Sequence, residues 1–454
     1  MKKLIIILAA AAMAGCGIYK PYTRPEEIKT DGLYGQGVET VDTMTLGNIS
    51  WQEMFTDPYL QQLIQQGLDN NTDLQSAYWR VKEAEATLKS ARLAYLPSFN
   101  FAPNGGVSSL TNPWNATWTY TVPVTASWEV DIFGKLTNSK RRAKALLAQS
   151  QEYQQAVRTQ VIASVANLYY TLLMLDAQYE ISSETAEKWF ETVNTMRAMK
   201  EAGMTNEAAV SQAEANYYSI ETSLFDLEYQ IREMENSLSS LLGEAPRSFE
   251  RGTLDEQILP ENLVVGIPAQ MLSNRPDVKN AEYSLAQAFY STNAARSAFY
   301  PSITLGGTAG WTNSAGSMII NPGKLLLSAV GSLTQPLFNK GLNMAQLKIA
   351  KAQQEEAKLS FQQALLNAGS EVNNALTQVQ VARGKTELRD GQITSLETAV
   401  RSTQLLMKHG NSTYLEVLTA QQSLLSAQLT QIADRFDEIQ GIINLYQALG
   451  GGRE

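Results

Sequence analysis

The side chains that could act as a nucleophile, a base or a metal ligand are few in this sequence. The chain of 454 residues contains one His, His409, and one Cys, Cys16. Catalysis needs several such groups within hydrogen-bonding reach, and a metal site needs several ligands. The glycines around Gly306 and Gly310 lack the Lys of a phosphate-binding loop. His409 directly precedes Gly410 and is interpreted as an ordinary residue at a helix end, so we expect no catalytic residues and no metal site.

Cys16 occupies the place at which an exported lipoprotein carries its lipid. A basic start precedes an apolar run over residues 4–12, which is too short to span a bilayer, and small residues follow. The run from Met13 to Cys16 resembles the bacterial lipobox, although Leu is usual at the place of Met13. We therefore expect a signal peptide over residues 1–15, a lipid on Cys16, and no other cofactor. The alternative is an incidental Cys in a discarded peptide.

A segment of about 200 residues occurs twice, which predicts two copies of one large structural unit. The matching positions are residues 73–74 with 277–278, residues 94–99 with 298–303, Ile132, Phe133 and Lys135 with Leu337, Phe338 and Lys340, and Gly203, Val210 and Ala213 with Gly410, Val417 and Ala420. Each copy is predicted to form a helix, strands, a very long helix, a turn and a returning helix.

Proline placement leaves room for the long helices, because an interior Pro breaks a helix. No Pro lies between Pro123 and Pro246, or after Pro336. Within the first of these stretches, mostly apolar and small residues recur at steps of three and four: Val157, Val161, Val165, Leu168, Leu172, Leu175, Tyr179, Ser182, Ala186, Trp189, Val193 and Met196. This spacing is typical of a coiled coil. Gly203 and Gly410 are expected at the turns of two helical hairpins, because Gly favours the left-handed turn after a helix.

The strands have the pattern of a membrane β-structure. Residues 116–132 alternate between apolar and polar side chains, interrupted on the polar face only by Pro123, and aromatic residues lie near both ends. The candidate members of the interfacial aromatic girdles are Trp118, Tyr120 and Trp128, with Trp311 in the second copy. The alternative is an ordinary antiparallel sheet with one face on a protein core.

Strand number predicts an oligomer if these strands span a membrane. Two strands per copy give four per chain, and four strands cannot close a barrel. Unpaired edges cannot face lipid, because their backbone groups would have no hydrogen-bonding partner. Two chains would make an eight-stranded barrel filled by side chains, whereas three would make twelve strands and leave a lumen.

Three motifs punctuate the chain: Trp51, Phe55, Asp57 and Pro58 near its start, Arg275, Pro276, Asp277 and Val278 in its middle, and residues 444–452 near its end. Their order and spacing, together with the repeat, resemble the outer membrane factor family of bacterial efflux systems. This is the TolC and OprM group, and within it the chain resembles the lipoprotein (NodT-like) branch of resistance-nodulation-division (RND) systems. The resemblance covers essentially the whole mature chain.

The resemblance implies a mainly α fold with a membrane β part. Long antiparallel coiled-coil hairpins would form a periplasmic α-barrel, and four strands per chain would contribute to a trimeric, twelve-stranded transmembrane β-barrel. The implied homotrimer is anchored by lipid in the outer membrane and is a passive conduit for small molecules such as drugs, toxic compounds or metals. Its implied partners are a periplasmic membrane-fusion adaptor and an inner-membrane RND pump.

Two alternatives remain open for the function: the outer-membrane component of type I protein secretion, and a periplasmic coiled-coil scaffold lipoprotein. Nucleic acid is not an expected partner, because the net charge is −9 and such binding depends on Lys and Arg.

The family resemblance also implies a periplasmic gate. In TolC, two acidic residues one helical turn apart form rings at the helix tips. Glu416 falls on the first of these positions and Thr419 on the second, so one acid is missing, and Ser412 replaces a basic residue at the turn. A ring of Glu416 carboxylates would favour cations. The alternative is a helix-surface charge favoured near a helix N-terminus.

The expected organisation is a signal peptide at 1–15, a lipidated N-terminal segment at 16–58, a first repeat at 59–243 with strands at about 99–132, an inter-repeat equatorial segment at 244–274, and a second repeat at 275–454 with strands at about 302–338.

Overall fold

The computed structural model describes residues 18–28, 32–33, 45–108, 117–260, 263, 265–266, 268–313, 324–409 and 413–453. Cys16, Gly410 and Ser412 lie outside these residues, as does Ala116 at the start of the predicted strand. The chain divides into two compact units. The strand unit takes its residues from Met1–Lys29, Trp79–Glu152 and Lys279–Gln363, and the hairpin unit from Thr30–Tyr78, Tyr153–Val278 and Ala364–Glu454.

The order of elements repeats along the chain. The main helices and strands are α1 (Pro58–Asn70), α2 (Thr72–Leu93), β1 (Ser98–Phe101), β2 (Asn104–Ser108), β3 (Thr117–Val130), α3 (Lys135–Glu201), α4 (Glu207–Leu241), α5 (Pro276–Ser297), β4 (Ser302–Thr312), β5 (Lys324–Thr334), α6 (Leu342–Lys408) and α7 (Tyr414–Ala448). Short helical turns at Leu46–Asn48, Trp51–Met54, Pro268–Gln270 and Met271–Asn274 complete the set. No helix among the described residues is both long and apolar enough to cross a membrane.

The strand unit is built on one antiparallel sheet with the order β1-β3-β4-β5, and β2 also pairs with β3. Ser98 of β1 opposes Ser127, and Asn104 of β2 opposes Thr121, so β1 and β2 follow one register along β3 and act as a single interrupted strand. The chain therefore supplies four strand positions, as the sequence predicts. β5 ends at Thr334, earlier than the predicted boundary.

Local chemistry explains how the sheet passes into the first long helix. Gly134 has φ +71°, a left-handed conformation that Gly adopts without strain. The Asp131 carboxylate then accepts hydrogen bonds from the backbone N–H groups of Leu136 and Thr137, at 2.9 and 2.7 Å. These are donors that a helix start leaves without an intrahelical partner, and a negative charge is favoured there.

The hairpin unit holds the coiled-coil seam predicted from the sequence. Val161, Val165, Leu172 and Leu175 of α3 are buried. Farther along, a cluster combines Trp189, Val193 and Met196 of α3 with Val210, Ala213 and Ile220 of α4 and Leu418 of α7. Burial of these apolar side chains is what stabilises helices of this length.

The long helices of the two copies have equal lengths. α3 and α6 both contain 67 residues, and α4 and α7 both contain 35. Gly341 has φ +79° and precedes α6 as Gly134 precedes α3. The structure thus aligns Lys135 with Leu342, two residues from the match with Lys340 that side-chain types suggest. That part of the predicted alignment was wrong, because it matched residues by side-chain type, whereas the glycine turns set the true correspondence.

Candidate membrane surface and helical tips

The sheet separates apolar from polar side chains across all of its strands. In one cross-strand row, Val124 opposes Ala309 and Ala309 opposes Leu327. Because side chains alternate along a strand, the register sets the whole face. The apolar face carries Phe99, Phe101, Gly105, Val107, Tyr120, Val122, Val124, Ala126, Trp128, Val130, Ile303, Leu305, Gly307, Ala309, Trp311, Leu325, Leu327, Ala329, Gly331 and Leu333.

The opposite face is mainly polar. It carries Ser98, Asn100, Asn104, Thr119, Thr121, Thr125, Ser127, Glu129, Ser302, Thr304, Thr308, Thr312, Ser328, Ser332 and Thr334, with Pro123, Leu326 and Val330 as apolar exceptions. The alternation predicted for residues 116–132 therefore extends to neighbouring strands that were harder to recognise.

The apolar face is open. Phe99 is 69% exposed, Trp311 49% and Leu327 70%. A contiguous apolar surface of this extent indicates contact with a membrane or with another protein. A sheet with one face on its own core would bury these side chains, so the geometry favours the membrane interpretation.

The aromatic residues singled out from the sequence lie toward both ends of this face. Trp128 opposes Leu305, and Trp311 opposes Val122 near the other end. The two rows are about 20 Å apart along the strands at about 3.3 Å per residue. The indole N–H of Trp128 donates to the Tyr95 carbonyl at 2.8 Å, which fixes that ring. Tyr120 opposes Gly105, and Trp118 pairs through its backbone with Val107.

Gly203 lies in the turn of the first hairpin with φ +73°. The Met204 N–H donates to the Met199 carbonyl, and the Gly203 N–H donates to the Lys200 carbonyl. This pair of hydrogen bonds is the Schellman motif of a helix that ends at Gly. The Asn206 side chain then accepts from the Ala209 N–H and begins α4.

Ion pairs hold the two helices of this hairpin together near the turn. Arg197 of α3 pairs with Glu214 of α4 at 2.6 Å, and Lys200 pairs with Glu207.

At the second tip, Glu416 and Thr419 lie one turn apart and are both exposed. Glu416 belongs to the first turn of α7, where its N–H donates to the Thr413 carbonyl and its carboxylate accepts from the Thr413 hydroxyl at 3.4 Å. The Thr419 hydroxyl donates to the Leu415 carbonyl at 2.9 Å. Both the gate and the helix-start interpretation of Glu416 fit this placement.

His409 is exposed, and its backbone N–H donates to the carbonyls of Leu405 and Leu406. It is the residue that follows α6. Among the described residues, no group of three or more His, Cys, Asp or Glu could hold a metal ion.

Asp57, known from the sequence only as part of a motif, joins three segments of the hairpin unit. One carboxylate oxygen begins α1 by accepting from the Tyr59 N–H at 2.8 Å. The other accepts from the Tyr169 hydroxyl at 2.6 Å and from Gln257 at 2.9 Å. Burial, followed by the bond to Asp57, raises the pKa of Tyr169.

A second junction of the hairpin unit was not predictable from the sequence. Arg251 is bound to Asp176 of α3 and to Glu235 of α4 at 2.9 Å. The bond to Asp176 is the main cause that raises the pKa of Arg251. Nothing in the sequence pairs groups 75 residues apart, because one chain without relatives gives no signal of contact.

The fold and its surfaces define a class of protein before any comparison is made. The open apolar face of the sheet, in a chain that also forms long helical hairpins, defines a membrane-embedded protein. The family model for outer membrane efflux proteins matches residues 63–244 and 267–451. The chain belongs to the outer membrane efflux protein family.

The similar proteins agree with this membership. The cation efflux system protein CusC of Escherichia coli O6:H1 is 28% identical over 99% of this chain and 98% of its own length. The probable outer membrane lipoprotein SilC of Salmonella typhimurium is also 28% identical, over 99% and 98%. The open-state structure of the MtrE outer membrane channel of Neisseria gonorrhoeae is 26% identical with a TM-score of 0.85, and covers 96% of this chain and 98% of its own. This chain is an outer-membrane efflux channel component.

Proposed function

We propose that three copies of the chain form the outer-membrane channel of a tripartite pump that exports small molecules. The observation that carries this proposal is a sheet of four strand positions with an apolar face and two open edges. Edges of this kind cannot lie in lipid, so the sheet has to close with other copies. Twelve strand positions enclose a lumen, toward which the polar face points.

The lipid anchor and the partner proteins are proposed from the sequence motif at Cys16 and from similarity to known efflux proteins. Cys16 carries the lipid anchor, in keeping with the lipobox-like run and with a lipoprotein among the similar proteins. A periplasmic membrane-fusion adaptor binds the channel, and an inner-membrane RND pump supplies the energy. The similar proteins are efflux channels, and we propose that this chain is likewise a passive conduit and not an enzyme.

Reconstitution tests the central proposal. The purified full chain should run as an SDS- or detergent-stable trimer and raise the ion conductance of planar lipid bilayers. A monomer that leaves the bilayer silent would contradict it. Mass spectrometry of the mature N-terminus tests the lipid on Cys16 separately, because an unmodified Cys16 would remove the anchor and leave the channel intact.

We further propose that Glu416 forms a carboxylate ring at the periplasmic tip, supported by its exposure and its place one turn before Thr419. Glu416→Gln should lower the cation preference of the open channel, because the ring loses three negative charges. Thr419→Asp should raise it by supplying the second ring. Reversal potentials in a salt gradient measure both changes. If neither variant moves the reversal potential, Glu416 is only a helix-start residue.

A further inference from the structure

The two halves of the strand unit can be superimposed residue by residue from their strand registers. Ser98, the first residue of β1, opposes Ser127, and Ser302, the first residue of β4, opposes Thr334. Each residue of β1 and β2 therefore corresponds to the residue of β4 whose number is 204 higher. Positions in β3 correspond to positions in β5 that are 207 higher, and the same difference relates Gly134 to Gly341.

Only one of two equivalent strand contacts is made within a single chain. β3 of the first half pairs with β4 of the second, from Thr121 opposite Thr312 to Val130 opposite Ile303. The equivalent contact would join β5 to β1 and β2. The sheet order puts β5 and β1 on opposite edges, so this second contact is not made within the chain.

The lengths of the strands indicate that a partner for β5 is missing. β3 continues three residues beyond Ser127, and over those residues, up to Val130, it is paired with β4 alone. β5 stops at Thr334, the equivalent of Ser127. Residues 335–337 correspond to the extension of β3, and Leu337 among them is 94% exposed.

The direction of the backbone N–H and C=O groups allows β5 to pair along its free edge in spite of Pro336. The Tyr120 carbonyl accepts from the Asn313 backbone N–H at 3.3 Å, and the Tyr120 N–H donates to the Asn313 side-chain oxygen. The even-numbered positions of β3 therefore direct their backbone groups toward β4. Their equivalents in and after β5 are odd-numbered, and these face the free edge. Pro336 is even-numbered, so its missing N–H lies on the side away from that edge.

From this equivalence we infer the register by which one copy of the chain pairs with the next. Residues 328–337 lie antiparallel to residues 99–108 of the neighbouring copy, with Ser332 opposite Asn104 and Leu337 opposite Phe99. Residues 335–337 become strand only on assembly. The register keeps Leu337 with Phe99 on the apolar face. Pro103, opposite Leu333, leaves one bond of the ladder unmade.

This inference rests on the proposed trimer and adds its subunit contact. The test is a cysteine pair across the contact. Ser332→Cys with Asn104→Cys lies at a non-hydrogen-bonded position, where Cα atoms are about 4.5 Å apart, within the range of a disulfide. Oxidation of this double variant in membranes should give covalent dimers and trimers on a non-reducing denaturing gel, and reduction should remove them.

Two matched variants make the test specific for register. Thr125→Cys with Thr308→Cys is the equivalent pair inside one chain and should form a disulfide without any covalent oligomer. Ser332→Cys with Asn100→Cys shifts the pairing by four residues, about 13 Å along the strand, and should stay at the background of the single variants.

The outcomes separate the register from the assembly. Covalent trimers from the predicted pair alone support the inference. Cross-linking of the shifted pair, or of neither pair in a protein that is trimeric by light scattering, overturns the register and leaves the proposed channel standing. A chain that is monomeric in detergent and in membranes overturns both.

Discussion

Placing one charge on either face of the sheet is a direct test of which side meets lipid. Ala309 and Thr308 are neighbours in β4 and point to opposite faces. Ala309 lies two residues beyond the middle of the strand, close to 5 Å from the centre of the membrane at a tilt of about 40°. It is therefore well inside an apolar band about 25 Å tall. Thr308 faces the polar side.

The expected costs of Ala309→Arg and Thr308→Arg differ widely. Arg on the lipid face near the bilayer centre costs about 2–4 kcal/mol. Since about 1.4 kcal/mol changes an equilibrium tenfold, each chain loses roughly 30-fold to 700-fold in its folding equilibrium. Three chains carry the change, so a trimer loses about 6–12 kcal/mol. Thr308→Arg should cost little, because its guanidinium can stay in a wet lumen.

The measurement is refolding into lipid vesicles across a urea series, with the folded trimer followed by its resistance to SDS. Ala309→Arg should move the midpoint to much lower urea, whereas Thr308→Arg should stay close to the parent protein. Equal losses in the two variants would refute the assignment of faces. A larger loss of stability for Thr308→Arg would mean that the polar face packs against an apolar surface that excludes water.

Two further substitutions test the supports of the fold. Asp57→Ala removes a helix cap and the acceptor of the buried Tyr169 hydroxyl, so we expect it to destabilise the fold by about 3 kcal/mol. Adding Tyr169→Phe to this variant should lower the stability little further. Urea unfolding followed by circular dichroism measures both effects. Gly134→Ala and Gly341→Ala both meet a left-handed φ that costs about 1 kcal/mol, but only at Gly134 would the new Cβ lie 3.2 Å from the Tyr19 ring and 3.3 Å from Ile18. Gly134→Ala alone should therefore expose Tyr19 to chymotrypsin, and equal cleavage of both variants would contradict this.

The long helices and the main strand were predictable because their signals are local. The steps of three and four from Val157 to Met196, and the alternation along residues 116–132, lie within single elements. Both correspond to elements of the structure, α3 and β3. Local patterns suffice when an element has one buried stripe or one apolar face.

The contacts between distant segments could not be derived in this way. The motif that contains Asp57 is recognisable in the sequence. The structural role of Asp57, however, depends on hydrogen bonds from Tyr169, which lies 112 residues away, and from Gln257. The weaker strands show the same limit. β1 and β2 are interrupted at Ala102 and Pro103, and only their shared register along β3 joins them.

The motif around Arg275 has a comparable basis in the hairpin unit. Its buried guanidinium bonds to the carboxylates of Asp277 and Glu371 at 2.6 Å and to the Ala448 carbonyl at 2.9 Å. Gly450 follows α7 with φ +79°, and a Cβ there would lie 2.5 Å from the Asn274 carbonyl. The middle and final motifs are thus two sides of one junction.

Equal lengths in the two halves have a physical reason that no single hairpin explains. α3 and α6 share 67 residues and α4 and α7 share 35, although the two hairpins differ in most side chains. Packing within one hairpin would tolerate helices of any length. A closed ring in which both hairpins occupy equivalent places would not, because a longer hairpin would leave its tip without neighbours. Side chains remain free to differ, since in the proposed trimer one of two equivalent contacts is made within the chain and the other between copies. Conserved length with divergent side chains is therefore the pattern that selection for ring closure should produce.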